Sequence, residues 1–495
     1  MTVFNLELKI DRILEKGLSS DPDAIALCSI RGAWTWKQLR ELSFQAVRRY
    51  QSKGLVRGDV VGFFATSSPE LIANYLACFE LGLIVLPLKT TYSKREIQQS
   101  IEIAQAKTLV WEPGISSIEF SSISVEDLMV MTTVDFEIAF PAPTPSFKND
   151  KRDLCGVFMT SGSTGVPKGV VHDRHSFAQM LRAIVEGFNI TSEDVILPVA
   201  YFSELLFTLA TLSAGGRVIL STSRSPDELL KLLRTWRPTI FGMLPGEFFA
   251  FLSSGKVEKR DFAFLRLCLS GGDTVTTALR EAFRLVSDIE ILEDYGMTEF
   301  GVSHSNPCTG LNKHGSVGLP LPGIECSIRN EKGQVADEGM LGELWVRSSS
   351  SMVGYLTAKG FPSRSKSKQW IQTGDWFELD HDGYYWMRGR IKGVLVVKGM
   401  KVYPQEIEQV LNTHPLILSS VVTEGKKTEF GDYILAFVVR NPKLTIEEIY
   451  NHCAAFLADY KRPQEFVFVD SIPYTDTGKI DRLAIRKSVK GLTIE

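Results

Sequence analysis

The sequence has 495 residues, of which 44% are hydrophobic and 23% are charged, and its formal net charge is −3. This composition is typical of a globular protein, and the length predicts two or more structural units. A net charge so close to zero excludes recruitment of nucleic acid or an anionic membrane by a bulk electrostatic field.

The cysteines and the apolar runs indicate in which compartment the protein folds and whether it spans a membrane. The seven cysteines are scattered and none forms a Cys-x-x-Cys pair, which favours buried thiols in a reducing, cytoplasmic compartment over disulfides or a zinc site. The N-terminal residues mix apolar and charged side chains, so no signal peptide is expected. The longest apolar run, LIVLPL, is far shorter than the ~20 residues that span a bilayer, so no membrane span is expected.

Residues 35–112 alternate between predicted helices and strands. Thr35 is a predicted cap of the first helix, and Ser68 followed by Pro69 begins a second helix that Gly82 ends. The apolar runs DVVGFFA, LIVLPL and TLVWE predict strands. This alternation predicts a mostly parallel sheet that is covered by helices.

The same alternation returns over residues 194–291, where DVILPVA, RVIL, TIFGML and LRLCLS are predicted strands. Between the two regions lies the Pro-rich segment PAPTPSFKND, residues 141–150, which we interpret as a loop and not as a domain boundary. After about residue 300, short strands and turns such as GELWVRS predict antiparallel β structure.

The last hundred residues predict a separate α+β unit. Pro404 begins a helix, the runs ILSSVVTE and DYILAFVV predict two strands, and a helix over 445–460 precedes the strand EFVFVD. The predicted fold class is therefore α/β. Residues 1–390 form a large N-terminal domain of mostly parallel sheets with helices and a small β subdomain, and residues 391–495 form a small α+β C-terminal domain.

The segment MTSGSTGVPKGVVH, from Met159 to His172, has a composition that no hydrophobic core requires. Small hydroxyl residues and glycines let backbone amides approach an anion, and Lys168 adds a positive charge. A P-loop is excluded, because Pro167 stands where that motif has glycine and the flanking runs predict strands, with no helix after the loop. From this segment alone, an anion cradle and a flexible surface loop remain equally good interpretations.

Four further segments carry residues suited to a nucleotide site. They are YGMTEFG at 295–301, TGDW at 373–376, GRIKG at 389–393 and PYTDTGKIDR at 473–482. Each has a simple structural interpretation, as a turn former or a solvated linker. Five such segments in one chain favour a common function.

In these motifs the sequence resembles the adenylate-forming (AMP-binding) superfamily, which comprises acyl- and aryl-CoA synthetases, luciferases and peptide-synthetase adenylation domains. The resemblance runs from WTWKQLRELS to TGKIDR with the motifs in family order. It implies a large N-terminal domain and a small mobile C-terminal domain. It also implies two steps: a carboxylate attacks the α-phosphate of ATP and releases pyrophosphate, and a thiol then converts the acyl-adenylate to a thioester and AMP.

The resemblance also implies roles for individual residues of the nucleotide site. The β- and γ-phosphates are expected to be held by Thr160, Ser161, Gly162, Ser163, Thr164, Gly165 and Lys168. The other implied nucleotide contacts are Gly271, Gly272 and Asp273 in the segment SGGD, Asp294 and Tyr295 beside adenine, Thr298 at the α-phosphate, Asp375 at the ribose and Arg390 as a second nucleotide contact. Glu299 is the implied magnesium ligand, since its carboxylate is a hard oxygen donor.

By the resemblance, three residues near the C-terminus serve different steps of the reaction. Lys479 matches the lysine that bridges the reacting carboxylate and the phosphate in the first step. Lys392 matches the hinge about which the small domain rotates, so that the segment VVKGMKV with Gly399 meets the thiol. Some relatives carry a lysine that assists thioester formation where this chain has Val396.

The implied acid pocket departs from the family pattern. Tyr201 stands where the family often has the histidine of PLFH, and Phe202 stands where amino-acid-activating relatives place an aspartate. This argues against α-amino acids, although Glu204 could still contact an amine.

Three hypotheses follow. The leading one is an acyl- or aryl-CoA ligase that uses ATP, Mg²⁺ and CoA. The second is an adenylation enzyme that loads the phosphopantetheine arm of a separate carrier protein. The third is a non-catalytic nucleotide-binding relative, against which the joint presence of Lys168, Glu299, Asp375, Arg390 and Lys479 argues.

Overall fold

The structure is a computed structural model of the chain. It describes residues 8–115, 129–132, 153–160, 168–199, 201–356, 360–362, 369–391, 393–397, 400–425, 432–474, 480–482, 484–485 and 487. The Pro-rich segment 141–150, interpreted as a loop, lies outside the described residues.

A nine-stranded sheet forms one half of the large N-terminal body. Its strands, numbered in chain order through the whole molecule, are β1 (Ile25–Ser29), β2 (Gly32–Thr35), β9 (Val195–Val199), β10 (Arg217–Ile219), β11 (Ile240–Met243), β12 (Leu267–Gly271), β13 (Ile291–Met297), β14 (Gly301–Ser305) and β15 (Leu319–Pro320). Their spatial order is β15-β14-β13-β12-β11-β9-β10-β1-β2. The six strands from β13 to β1 run parallel, as predicted for residues 194–291.

A seven-stranded sheet forms the other half. Its strands are β3 (Val60–Phe64), β4 (Ile84–Pro87), β5 (Thr108–Trp111), β6 (Met129–Thr132), β7 (Leu154–Thr160), β8 (Lys168–Asp173) and β18 (Gly354–Tyr355). Their order is β18-β8-β7-β4-β3-β5-β6, and the five strands from β7 to β6 are parallel. β8 and β18 extend this sheet in antiparallel fashion.

The described residues contain eleven α-helices. In chain order they are α1 (Glu15–Ser20), α2 (Trp36–Ser52), α3 (Pro69–Leu81), α4 (Lys94–Ala104), α5 (Arg174–Gly187), α6 (Tyr201–Ser213), α7 (Pro226–Trp236), α8 (Pro245–Ser253), α9 (Thr277–Ser287), α10 (Pro404–Asn412) and α11 (Ile446–Phe456). Thr35 caps α2 and Ser68 caps α3 as predicted, and Gly82 ends α3 in the left-handed conformation that glycine favours.

The helices lie on both faces of each large sheet. α3 is apolar around its whole circumference and eleven of its thirteen residues are buried, which is typical of a helix between two layers. The core cluster around α3 includes Phe63 of β3 and Leu27 of β1, so it joins the two sheets. On the outer face of the nine-stranded sheet lie α7, α8 and α9, and on the outer face of the seven-stranded sheet lies α4.

Antiparallel β structure follows after residue 300, as predicted. The strands β16 (Ile324–Arg329), β17 (Gly342–Ser348), β19 (Ile371–Leu379) and β20 (Tyr385–Arg390) form a four-stranded sheet in the order β16-β17-β19-β20. Every neighbouring pair in this sheet is antiparallel.

The C-terminal residues form a compact α+β unit. Its strands are β21 (Leu395–Val397), β22 (Met400–Val402), β23 (Ile417–Glu424), β24 (Ile434–Arg440) and β25 (Glu465–Phe468). Two clusters of buried side chains, one of them beneath α10 and α11, include no residue before Leu395, so this unit has a core of its own. The helix predicted over 445–460 ends at Phe456 and a 3-10 turn, Asp459–Lys461, follows. The domain boundary after residue 390 remains a prediction.

The aromatic side chains beneath α9 allow a test of this packing. Phe283 is fully buried, with its ring centroid 5.1 Å from that of Phe262 and 5.4 Å from that of Phe248. Phe283→Ala should lower the free energy of unfolding by about 3–5 kcal/mol, because it leaves a cavity. On the same helix, Leu285 is 75% exposed, and Leu285→Ala should change that free energy by about 0.5 kcal/mol or less. Urea unfolding of both variants measures this, and equal losses would contradict the described packing.

Candidate active site

The Gly/Ser/Thr segment lies between two paired strands. β7 and β8 are antiparallel, with Thr160 opposite Lys168, and the Thr160 hydroxyl donates to the Lys168 carbonyl oxygen at 3.3 Å. The loop therefore joins strand to strand and opens no helix, as predicted from its flanks. Ser161, Gly162, Ser163, Thr164 and Gly165 lie outside the described residues.

A chain of contacts connects the end of this loop to Glu299. The Lys168 Nζ lies 5.3 Å from the centroid of the Tyr355 ring, within the range of a cation–π interaction. The Tyr355 hydroxyl donates to Glu299 Oε1 at 2.8 Å. Tyr355 reaches both groups because β18 pairs with β8, with Tyr355 opposite Val170. The lysine and the carboxylate are thus brought to one place by a tyrosine that the sequence analysis did not single out.

Thr298 and Glu299 occupy the turn between β13 and β14. The turn is closed by the amide of Phe300, which donates to the Met297 carbonyl oxygen at 3.2 Å. Glu299 is 7% exposed, and its carbonyl oxygen accepts from the amide of Met352 at 2.7 Å. Both residues therefore sit in a fixed turn next to Lys168, as the motif order predicted.

The Glu299 carboxylate is suited to bind a magnesium ion. Tyr355 uses one of about four acceptor positions of the Glu299 carboxylate, so the others are available to a cation. Within the described segments, no group of three or more His, Cys, Asp and Glu side chains is arranged to hold a metal. Mg²⁺ is usually bound through one or two carboxylates together with substrate phosphates. A single carboxylate at Glu299 therefore fits a magnesium ion that arrives with ATP.

A second cluster lies around Asp375, in β19. Its carboxylate is 1% exposed and accepts a hydrogen bond from the Tyr295 hydroxyl at 2.8 Å. Arg390 stands opposite Asp375 in the β19–β20 ladder, and its Nε lies 3.2 Å from Asp375 Oδ1. Burial and the nearby Asp375 carboxylate raise the pKa of Tyr295 well above its usual value, so its hydroxyl stays a donor. The predicted adenine and ribose residues thus meet, although 80 residues separate them.

Gly271 ends β12, and Gly272 follows it. Gly271 stands beside Asp294 in the parallel β12–β13 pair, and a Cβ on Gly271 would lie 1.5 Å from Asp294 Oδ1. The Asp294 carboxylate therefore occupies the space that a side chain at position 271 would fill. Gly272 has φ +83°, which glycine adopts without strain.

Asp273 links this edge to the C-terminal unit. Its Oδ1 accepts from the amide of Thr274 at 2.8 Å and its Oδ2 from the amide of Ile480 at 3.3 Å. Burial raises the pKa of the Asp273 carboxyl. Tyr474 forms a β-bridge with Ile480, and the Tyr474 ring contacts the backbone of Gly246. The two residues that flank the segment 475–479 therefore both touch the carboxyl-end edge of the nine-stranded sheet.

Lys479, Lys392 and Gly399 lie outside the described residues, so their predicted roles are not tested by the geometry. Gly393, next to the predicted hinge, has φ +108°, in the region that favours glycine.

The predicted acid pocket is described in part. Tyr201 and Phe202 begin α6, and the structure does not describe their side chains. Burial raises the pKa of Glu204 to about 7, opposed by a hydrogen bond with Ser67 and by the charge of Arg224. Glu204 is therefore a poorly solvated acid at the carboxyl end of β9, on the same edge of the sheet as Asp273.

Sequence reasoning missed two residues of this site, Tyr355 and His172. His172 is the last residue of the segment MTSGSTGVPKGVVH. It lies fully buried in β8, and its Nε2 is 2.8 Å from the Thr298 carbonyl oxygen. Neither contact could be predicted from the sequence, because both bridge strands far apart in the chain.

Comparison with known proteins identifies the class that this fold and site define, an adenylate-forming enzyme. A family model described as "AMP-binding enzyme" matches residues 14–356, and one described as "AMP-binding enzyme C-terminal domain" matches residues 406–479. A long-chain-fatty-acid–CoA ligase of Yersinia pestis is 32% identical over 517 residues, with 94% of this chain and 91% of that protein covered.

Two further relatives agree. A 2-succinylbenzoate–CoA ligase of Enterococcus faecalis is 27% identical over 476 residues, with 94% of this chain and 96% of that protein covered. The crystal structure of ATP-bound MatB from Rhodopseudomonas palustris has a TM-score of 0.84 at 26% identity and covers 98% of this chain and 99% of that chain. The chain therefore belongs to the AMP-binding enzyme family, which confirms the predicted superfamily, the predicted fold class and the predicted class of AMP-forming acid–thiol ligase.

Asp294 gives a prediction on pH. Burial raises its pKa from 3.8 to about 7. In the unfolded chain the carboxyl ionises at lower pH than in the folded chain, so this group lowers stability increasingly as pH rises from about 4 to 7. Asp294→Asn should therefore raise the melting temperature more at pH 8 than at pH 5, by about 2 °C or more. Thermal unfolding of both proteins at the two pH values measures this, and a difference that is independent of pH would contradict the assignment.

Proposed function

We propose that this protein joins a carboxylic acid to the thiol of CoA in two steps at the site between the two large sheets and the C-terminal unit. ATP activates the acid as an acyl-adenylate, and CoA then takes the acyl group and releases AMP. The observation that supports this best is that Lys168 lies near Glu299 and Tyr295 lies against Asp375, although these residues come from three separate motifs. The CoA ligases among the relatives support CoA as the thiol.

The first step must overcome repulsion between two anions. At an effective dielectric constant of ~20, two like unit charges 4 Å apart repel by about 4 kcal/mol, and the triphosphate carries several charges. Lys168 and the loop that precedes it hold the β- and γ-phosphates, and Thr298 contacts the α-phosphate. Glu299 would hold a magnesium ion, which would supply charge neutralisation at the phosphates.

The nucleoside is held by the second cluster. Adenine lies against the Gly271–Gly272 backbone between Asp294 and Tyr295. Asp375 accepts from the ribose hydroxyls, because a carboxylate offers two acceptor oxygens to a pair of neighbouring hydroxyls. The fixed carboxylate positions the α-phosphate for attack in line with the leaving pyrophosphate.

The C-terminal unit, residues 391–495, supplies Lys479 to this step. Lys479 directly precedes Ile480 in the sequence, and the Ile480 amide is bonded to Asp273. This contact supports a first-step role for the lysine, as a bridge between the reacting carboxylate and the α-phosphate. Rotation at Lys392, beside Gly393, then withdraws Lys479 and brings the segment that contains Gly399 to the thiol.

The acid is bound by the pocket of Tyr201, Phe202 and Glu204, at the carboxyl end of β9. The Phe202 position argues against an α-amino acid. We infer a cytoplasmic location from the cysteines, all seven of which are free thiols and five of which are buried. None of the described helices is both long and apolar enough to cross a membrane.

Lys479→Ala separates the two steps. It should lower ATP–pyrophosphate exchange by about 10²–10³-fold or more, because a cation is lost between two anions. Formation of the thioester from a supplied acyl-adenylate should continue near the wild-type rate. The exposed Lys443 belongs to the same unit, and Lys443→Ala should leave both steps unchanged. Equal loss of both steps in Lys479→Ala would disprove this division of roles.

The substrate and the thiol are identified by one panel. ATP–pyrophosphate exchange is measured with aryl, short, medium and long acids and with amino acids, and AMP release is measured with and without CoA. We expect exchange with one class of acid and AMP release that depends on CoA. If AMP release requires a carrier protein, the phosphopantetheine arm of that carrier, and not CoA, is the acceptor. Absence of exchange with every acid would overturn the proposed catalysis in favour of a non-catalytic nucleotide-binding role.

A further inference from the structure

His172 ends the segment that carries the phosphate loop, and the proposed mechanism gives it no role. Its side chain is fully buried in β8. The Nε2 atom lies 2.8 Å from the Thr298 carbonyl oxygen and the Nδ1 atom lies 3.2 Å from the Ser176 hydroxyl. A buried histidine thus connects a strand of the seven-stranded sheet to the turn that carries Thr298 and Glu299.

The partners of the ring determine its tautomer. A carbonyl oxygen can only accept, so the Nε2 atom carries the hydrogen and donates it to Thr298. Burial lowers the pKa of His172 to about 4, so the ring is neutral near pH 7 and its Nδ1 atom is an acceptor. The Ser176 hydroxyl oxygen lies 3.2 Å from Nδ1 and 3.1 Å from the Asp173 carbonyl oxygen, and its one hydrogen can be donated to either acceptor. The Nε2–H, by contrast, has the Thr298 carbonyl oxygen as its acceptor.

The Thr298–Glu299 turn makes two further hydrogen bonds. The amide of Met352 donates to the Glu299 carbonyl oxygen and the Tyr355 hydroxyl donates to the Glu299 carboxylate. Tyr355 lies on β18, which pairs with β8. The turn belongs to the nine-stranded sheet, while His172 and Tyr355 belong to the seven-stranded sheet. The His172 and Tyr355 bonds therefore fix one sheet relative to the other at the place where Lys168 and Glu299 must act together.

We propose that His172 is a positioning residue for adenylate formation, because its Nε2–H holds the Thr298–Glu299 turn in register with Lys168. The inference rests on the roles proposed for Thr298 and Glu299. Without this bond the turn carbonyl loses its donor and the turn can shift. A displacement of about 1 Å can reduce a rate by about 10²-fold even though the displaced group is retained.

Two amide variants test the donor. In His172→Gln the side-chain amide can place an N–H near the position of Nε2, whereas in His172→Asn the shorter amide reaches only the position of Nδ1. We expect the Gln variant to keep most of the wild-type rate of ATP–pyrophosphate exchange. We expect the Asn variant to lose about 10–100-fold in kcat for exchange. Both variants should form thioester from a supplied acyl-adenylate near the wild-type rate.

Further measurements separate this role from simple stabilisation and from failure of the proposed site. Melting temperatures are recorded for both variants, and Glu299→Gln reports whether the turn serves adenylation at all. If Glu299→Gln leaves exchange unchanged, the role of the turn fails and the positioning role fails with it. If Glu299→Gln abolishes exchange while His172→Asn remains fully active, only the positioning role is overturned. Equal rates for Gln and Asn, or equal loss of both steps together with a lower melting temperature, would also overturn it.

Discussion

The site depends on a connection between two sheets that are otherwise joined by apolar packing. Helix α3 and its neighbours fill the space between the sheets, and apolar packing tolerates small shifts better than a hydrogen bond does. At the β13–β14 turn, polar contacts from β8 and β18 replace this packing. These contacts hold the turn close to Lys168, at the end of the segment predicted to hold phosphates.

Burying charged side chains is energetically unfavourable, and in this site hydrogen bonds and opposite charges compensate for it. Asp375 is almost completely buried and is matched by Arg390 directly opposite it in the ladder and by the Tyr295 hydroxyl. Glu299 is buried against Tyr355, whose ring also faces Lys168. A buried carboxylate without partners would be neutralised by a proton instead. Burial raises the pKa of Asp294, which favours its protonated, neutral form.

The elements of the fold could be predicted from local signals. Thr35, Ser68 and Gly82 bound their helices as their capping chemistry requires, and the apolar runs of 194–291 form the parallel strands that their alternation with helices predicted. The end of α11 was predicted four residues too late, because a 3-10 turn continues the helical pattern after Phe456. The site residues were predicted as a set from the resemblance of the motif order to that of the family, and this prediction carried no information on their contacts.

The sequence by itself determined the class of protein, because the motifs place the required cations, carboxylates and glycines on loops between strands. It did not determine that Tyr355 joins Lys168 to Glu299, that His172 holds Thr298, or that Asp273 bonds to Ile480. These contacts join residues that lie far apart in the chain and depend on the order and register of strands in different sheets. Local propensity carries no information on that order, since it arises only when the sheets pack against each other.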